Sequence, residues 1–455
     1  MSALSTDSIR ARVRAALPAA LAALERLIAI PSVSNPAWPR EQCVRCAEAI
    51  AAAALAAGFK RAELLADDGA PPALVAHRAG HASAPLVVLY AHYDVMPPGP
   101  PEGWTTPAFE PAVRDGRLYG RGSADDKGAI AAHLAAVAAL ADAEAPSLLL
   151  FVEGAEELGS PCAMALLERA LDGRRPDAIV VPDADALSVE RPYLTLSLRG
   201  LVECDVELRT LAAPVHDGLF GGVVPDAALA LARLLATLTD ADGSPAIAGL
   251  VRDPLPDGWL EPTAAELLAG AGALPGVGAL GCGPVARTLW RTPALAVYAL
   301  ERSGSEDGSQ LTPAARARIG LRTAPSQDAV EAARALERHL RAHVPWGAEL
   351  DVRTVSAMPG VDLAAGGGSV LPIAAQALAD AWGAPLERIG SGAAIPIVEE
   401  VVRAYPDVSV VLSAIADVDC SAHGPDESVS LGLLERLAVA QALLLHRLAA
   451  DAASD

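Results

Sequence analysis

Three short apolar runs that break off into polar residues constrain this chain most. Leu86-Val-Val-Leu-Tyr90 leads to His92, Leu148-Leu-Leu-Phe-Val152 to Glu153, and Ile179-Val-Val181 to Asp183. Uninterrupted apolar runs of this length read as strands buried on both faces, and such strands belong to sheets covered by helices on each side. The Ala-rich segment 130–141 supplies a crossover helix between the first two. The expected class is therefore α/β, with ligands gathered beyond the carboxyl ends of the strands, where the polar residues fall.

A chain of 455 residues exceeds what one core supports, so two domains are expected. After Asp183 the pattern changes: Val202, Cys204, Val206 and Leu208 alternate with Glu203, Asp205 and Glu207, the period of a strand with one wet face. A helix carrying Val330, Ala333, Leu336, Leu340 and Val344 follows, then a second alternating strand around Leu350-Asp-Val352-Arg-Thr354. These predict a smaller α+β domain over 191–356, inserted into a catalytic domain made of 1–190 and 357–455, with the chain returning after Gly366-Gly-Gly368 to a buried strand near 408–412. The Pro/Gly-rich stretches 242–262 and 270–284 read as surface loops. Gly276-Val-Gly278-Ala-Leu-Gly281 in the second has Pro275 before it and Gly283-Pro284 after it, not the strand and helix a dinucleotide site needs.

The net charge of −21, with no basic block to offset it, excludes nucleic acid and anionic membrane surfaces as expected partners. The N-terminal Ala-rich stretch is interrupted by Arg10, Arg12, Arg14, Glu25 and Arg26, which makes it an amphipathic helix, not a signal peptide or membrane span. Six cysteines do not make a disulfide framework in a chain this long, and a cytoplasmic location is expected. Cys43-Val-Arg-Cys46 has metal spacing, but no second pair follows it, so the two thiols read as helix-packing groups.

A pair of divalent ions needs a carboxylate that can bridge them, with His and carboxylate ligands that leave a position open for water. His92, Asp125, Glu157, Asp183 and His423 would suffice, with Asp185 a rival for Asp183. Asp94, two residues beyond His92 in an extended backbone, shares its face and can accept the other imidazole N–H. Glu156 and Glu157 are adjacent, so one can coordinate while the other takes a proton from the attacking water.

In Ala91-His-Tyr-Asp-Val95, Gly120-Arg-Gly-Ser-Ala-Asp125-Asp126-Lys127-Gly128, Glu153-Gly-Ala-Glu-Glu157-Leu-Gly-Ser160 and Ala422-His-Gly-Pro-Asp-Glu427, the chain resembles the M20 family of metallopeptidases. The resemblance implies a phosphorylase/hydrolase-like mixed-sheet catalytic domain with an inserted ferredoxin-like lid that dimerises. It implies one zinc on His92, Asp125 and Asp183, a second on Asp125, Glu157 and His423, and Glu156 as general base and acid. Mn or Co would fit the same N/O ligand set.

Val215-His216-Asp-Gly-Leu-Phe-Gly221-Gly222 resembles the family segment whose His crosses a homodimer interface to steady an oxyanion, although Asp217 stands where Ser is usual. Arg322 matches the strand-end Arg that clamps a substrate carboxylate, and Gly390-Ser-Gly-Ala-Ala-Ile395-Pro396 resembles a substrate loop in which Ala394 replaces the expected Ser. The expected function is hydrolysis of the amide bond of a dipeptide or similar small peptide with a free C-terminal carboxylate. The alternatives are an N-acyl-amino-acid deacylase and a non-catalytic binding protein, against which stands the filled set of ligand positions and base.

Overall fold

The computed structural model describes residues 4–67, 70–80, 84–143, 145–303, 308–364 and 369–452, so the Gly366-Gly-Gly368 return point lies outside the described residues. The chain divides into two units: Met1–Leu196 with Leu363–Arg388 and Pro396–Asp455, and Ser197–Asp362 with Ile389–Ile395.

In the first unit the sheet runs in the order Arg61–Asp67, Ala70–Arg78, Ser147–Glu153, Leu86–His92, Ala178–Ala186, Ser409–Asp417, Tyr193–Leu198. The four strands from Ser147–Glu153 to Ser409–Asp417 are mutually parallel, and those flanking them pair antiparallel, so the sheet is mixed. The three apolar runs of the sequence are its centre. Leu86–His92 lies between the next parallel strand in the chain and the one after it, so the chain leaves it to one side and returns on the other. That is a topological switch point, and His92 is its last residue.

The Lys127–Ala139 helix makes the first crossover and is buried along almost its whole length, packed against the Thr6–Ile28 and Leu431–Ala452 helices. Small Ala side chains permit that close approach while favouring the helix. The Lys127 ammonium donates to the carbonyls of Leu27 and Ile30 at 2.8 and 3.0 Å, satisfying groups at the end of the first helix. On the Arg40–Ala57 helix Cys43 and Cys46 are both buried, and burial pushes the Cys43 thiol up to about 12 and Cys46 upward as well. They pack as apolar groups.

The second unit carries strands Gly200–Arg209, Ala294–Arg302, Ala314–Thr323 and Glu349–Met358, with helices Ala227–Leu235 and Ala329–Ala342 after the first and third. Across the sheet the strands stand fourth, first, third, second, all antiparallel, which is the ferredoxin-like arrangement. Val202, Cys204, Val206 and Leu208 face Leu231, Leu234, Leu336 and Leu340 in one core, as the alternation required. The 270–284 segment holds only the last residue of the Ala264–Gly270 helix and no strand or further helix before Val285–Trp290. Among the described residues no helix is long and apolar enough to cross a membrane.

Candidate metal centre

Every expected ligand lies in the first unit. His92 ends its strand, Asp125 precedes the Lys127–Ala139 helix, Glu157 sits in the Glu156–Leu158 turn after Ser147–Glu153, and Asp183 lies late in Ala178–Ala186. Two groups converge: His92, Asp125 and Asp183, and Asp125, Glu157 and His423, each with ligand atoms within 4.8 Å of one another. Asp183, not Asp185, enters the first group among the described residues.

Asp125 belongs to both groups, and its oxygens face different histidines. Oδ1 lies 2.9 Å from His92 Nε2 and Oδ2 lies 2.9 Å from His423 Nε2. Glu157 offers Oε2 to His423 Nε2 at 3.3 Å while its Oε1 accepts the Met96 N–H at 3.1 Å, so one oxygen is anchored and the other faces the group. His423 takes a left-handed backbone, φ 62°, a conformation uncommon for a residue with a side chain and frequent at sites that fix one in place.

The electrostatics fit divalent ions. Burial raises Asp183 well above the carboxylate range, with Asp126 adding its charge, and burial raises Glu156 likewise, with Asp125 adding to it against the lowering effect of His92. No Lys or Arg stands among the five residues. Burial opposes charge on both His92 and Asp125, yet their mutual hydrogen bond, with that of Asp94 on His92 and of His423 on Asp125, raises the imidazole and lowers the carboxyl. Its hydrogen bonds to Asp125 and Glu157 push His423 up to about 10. The imidazolium protons thus sit between atoms that two cations would share, and the surplus of buried carboxylate is what such cations would relieve.

Asp94 does more than the sequence indicated. His92 Nδ1 lies 3.0 Å from the Asp94 carbonyl oxygen, and the carboxylate, at 3.4 Å, adds its charge. The two carboxylate oxygens accept the backbone N–H groups of Glu156 and Glu157, both at 3.1 Å, and so hold the turn that carries these two carboxylates. Glu153 steadies the same turn, accepting from the Tyr90 hydroxyl at 2.6 Å and the Ser160 hydroxyl at 2.8 Å. Gly154 is required there, because a Cβ would meet the Tyr93 ring at 2.3 Å.

Sequence reasoning missed Glu427 as a working residue. Fully buried, it accepts from Arg121 Nη1 at 2.7 Å and from the backbone N–H groups of Gly122, Ala124 and Asp125 at 2.9–3.1 Å. Arg121 Nη2 in turn donates to the His423 carbonyl at 3.0 Å. The only signal was position: Glu427 ends the His423 motif.

The remaining expected residues lie in the second unit. His216 begins an exposed turn, where the Gly218 N–H donates to its Nδ1 at 3.0 Å, so the neutral ring carries its proton on Nε2. Arg322 is partly buried near the end of its strand, its side chain without a hydrogen bond or ion pair among the described residues.

The sequence pattern of peptidase family M20/M25/M40 matches residues 88–447, which include all five converging residues. The chain is 35% identical to a cysteinylglycine-S-conjugate dipeptidase of Corynebacterium striatum, over 80% of this chain and 81% of that one. It is 27% identical to a β-Ala-His dipeptidase of Mus musculus, over 79% and 76%. The fold matches the dipeptidase Dug1p of Saccharomyces cerevisiae with a TM-score of 0.82 at 22% identity, covering 98% of this chain and 99% of that one. It matches human carnosine dipeptidase 1 with a TM-score of 0.81 at 22% identity, covering 99% and 100%. With a family pattern running through both strand-end motifs and the His423 loop, and with relatives aligned over most of both chains, this protein belongs to peptidase family M20/M25/M40.

Proposed function

We propose that this M20 peptidase is a dinuclear metal-dependent dipeptidase that hydrolyses the amide bond of dipeptides or similar small peptides bearing a free C-terminal carboxylate. The observation that carries the reading is Asp125, whose two oxygens face His92 and His423 in two separate ligand groups. His92, Asp125 and Asp183 would hold one ion and Asp125, Glu157 and His423 the other, with zinc the expected metal and Mn or Co accepted by the same donors. Such ions, when bound, polarise the scissile carbonyl and make water acidic enough to attack it.

Glu156 accepts the proton of the attacking water and returns it to the departing amine, a task suited to a carboxylate raised by burial. Asp94 orients His92 and the Glu156 turn together. His216, through its Nε2–H, steadies the oxyanion from the neighbouring subunit of a homodimer built through the second unit, and Arg322 holds the substrate carboxylate. The thiols of Cys43 and Cys46, packed in the core, accord with a reducing cytoplasm.

A screen of dipeptides, β-alanyl dipeptides and N-acyl amino acids with metal-loaded protein tests the reading. Ala394, in place of the substrate-loop Ser, favours keeping the acyl-amino acids in the panel. Hydrolysis confined to them makes the protein a deacylase, and hydrolysis of none overturns both.

A further inference from the structure

The wet face of the second unit's sheet is divided in its charge. Towards one end three arginines meet acids: Arg318 and Arg353 pair with Asp205 at 2.7 and 2.6 Å, and Arg316 with Glu207 at 2.9 Å. At the other end stand Arg199 and Arg322, and no carboxylate pairs with either among the described residues. Arg322 lies opposite Leu201 and Ala294 in its two ladders, and Arg199 reaches the same end of the sheet, standing two residues before Leu201 and donating to the carbonyl of Thr292, two residues before Ala294. Between the two ends lies Gly320, where a Cβ would meet the Tyr298 ring at 2.2 Å.

Arg199 is only 8% exposed; among the described residues its Nε has no partner and its one side-chain hydrogen bond runs at 3.4 Å to the Thr292 carbonyl. Its backbone N–H donates to Ser391, and a Cβ on Gly392 would come within 2.8 Å of Nη2, so the 391–392 loop closes directly over the guanidinium. Burial, with the Arg322 charge adding to it, pulls Arg199 down to about 10, which still leaves it charged at neutral pH. A buried cation beside another cation, with a donor unused, costs stability unless an anion arrives to accept from it.

We propose that Arg199 and Arg322 together bind the substrate's free carboxylate, Arg199 being a second carboxylate-binding guanidinium. The inference rests on the dipeptidase reading and names the recognition within it. Two forks on one carboxylate can satisfy both of its oxygens and give both guanidinium groups a counter-charge.

The test compares a dipeptide with its C-terminal amide. The wild type should prefer the free dipeptide. Arg199→Met should lower kcat/KM for it by about 10- to 100-fold, the scale of a lost charge-assisted hydrogen bond, mainly through KM, while the amide changes less than about 2-fold. Arg199→Lys, which keeps the charge and loses the fork, should fall between and guards against misfolding of the Met variant. With Arg322→Met already present, Arg199→Met should cost much less, because both groups hold one carboxylate. Equal losses on dipeptide and amide, in either variant, would assign Arg199 to structure alone and overturn the proposal. Calorimetric binding of both compounds to the Glu156→Gln protein separates the two readings. If no dipeptide is cleaved, the dipeptidase reading fails, yet a carboxylate preference that Arg199→Met or Arg199→Lys weakens would uphold the pocket, and one that persists would end it.

Discussion

Glu427 Oε1 accepts the backbone N–H of Asp125 at 3.1 Å, which ties the loop of His423 to the carboxylate shared by both converging groups. The other contacts of Glu427, to Arg121, Gly122 and Ala124, make it the fastening between segments about 300 residues apart in the chain. Glu427→Gln would keep the shape but set an NH₂ against donors and leave the Arg121 guanidinium buried without its counter-charge. Losing one partner of such a pair costs about 3–5 kcal/mol, and losing support behind a ligand costs about 10- to 100-fold in metal affinity. A thermal melt and a metal titration check this; wild-type values in both would show that the loop holds its shape without Glu427.

Glu156→Gln should retain both ions and lose chemistry, because the amide fills the same space without accepting the water's proton. Turnover should drop by at least about 10²-fold, the scale of general-base catalysis, at unchanged metal stoichiometry. Retained activity would remove Glu156 from the mechanism.

His92→Ala and His423→Ala each take the single imidazole from one of the two ligand groups. Occupancy and activity should fall together, and restoring metal excess should recover activity only in part. Full binding of two ions by both variants would sink the ligand assignment.

His133 gives the fold a pH dependence apart from the centre. It is fully buried between the Tyr90 carbonyl, 2.9 Å from Nε2, and the Gln441 amide, 3.0 Å from Nδ1. Among the described residues Gln441 Nε2 lacks a partner, and turning that amide over lets it donate to Nδ1 while Nε2–H donates to Tyr90, which satisfies a neutral ring. Burial lowers His133 to about 4, against 6.5 when unfolded, so between those values the unfolded chain binds the extra proton. The stabilisation is full above about pH 6.5 and is lost as pH falls towards about 4, by roughly 3 kcal/mol over the window. His133→Gln should flatten denaturant-measured stability there; an unchanged slope would show that other groups govern it.

Part of this convergence was legible because His92 and Asp183 end apolar runs that form central strands, so the sheet fixes where they stand, whereas Asp125, Glu157 and His423 sit in turns whose positions only the packed chain shows. Hydrogen-bond partners were not legible. Alternation placed Asp94 on the same face as His92, but whether its carboxylate would serve the imidazole or the Glu156–Glu157 amides depends on how closely the neighbouring strand's turn approaches. Glu427 and Arg199 were silent for a related reason. An acid four residues after His423 and an arginine one residue before a strand look solvated, and only the packed chain shows one saturated with donors and the other with its Nε lacking an acceptor among the described residues.

His216 Nδ1 accepts the Gly218 N–H, which it shares with Asp217 Oδ1, and the exposed ring leaves Nε2–H to donate. If that donor serves the oxyanion, His216→Ala should depress turnover by about 10²- to 10³-fold with metal content unchanged, since a donor aimed at developing charge acts on the transition state and not on the ions. If it serves the neighbouring subunit's centre, mixing His216→Ala with Glu156→Gln protein should restore part of the activity. One site of the mixed dimer would then hold both an intact base and an intact histidine. The mixture must exchange subunits, which sedimentation and differently tagged chains can verify. A monomer in solution, or confirmed heterodimers without recovery, would show that His216 does not act across a subunit boundary.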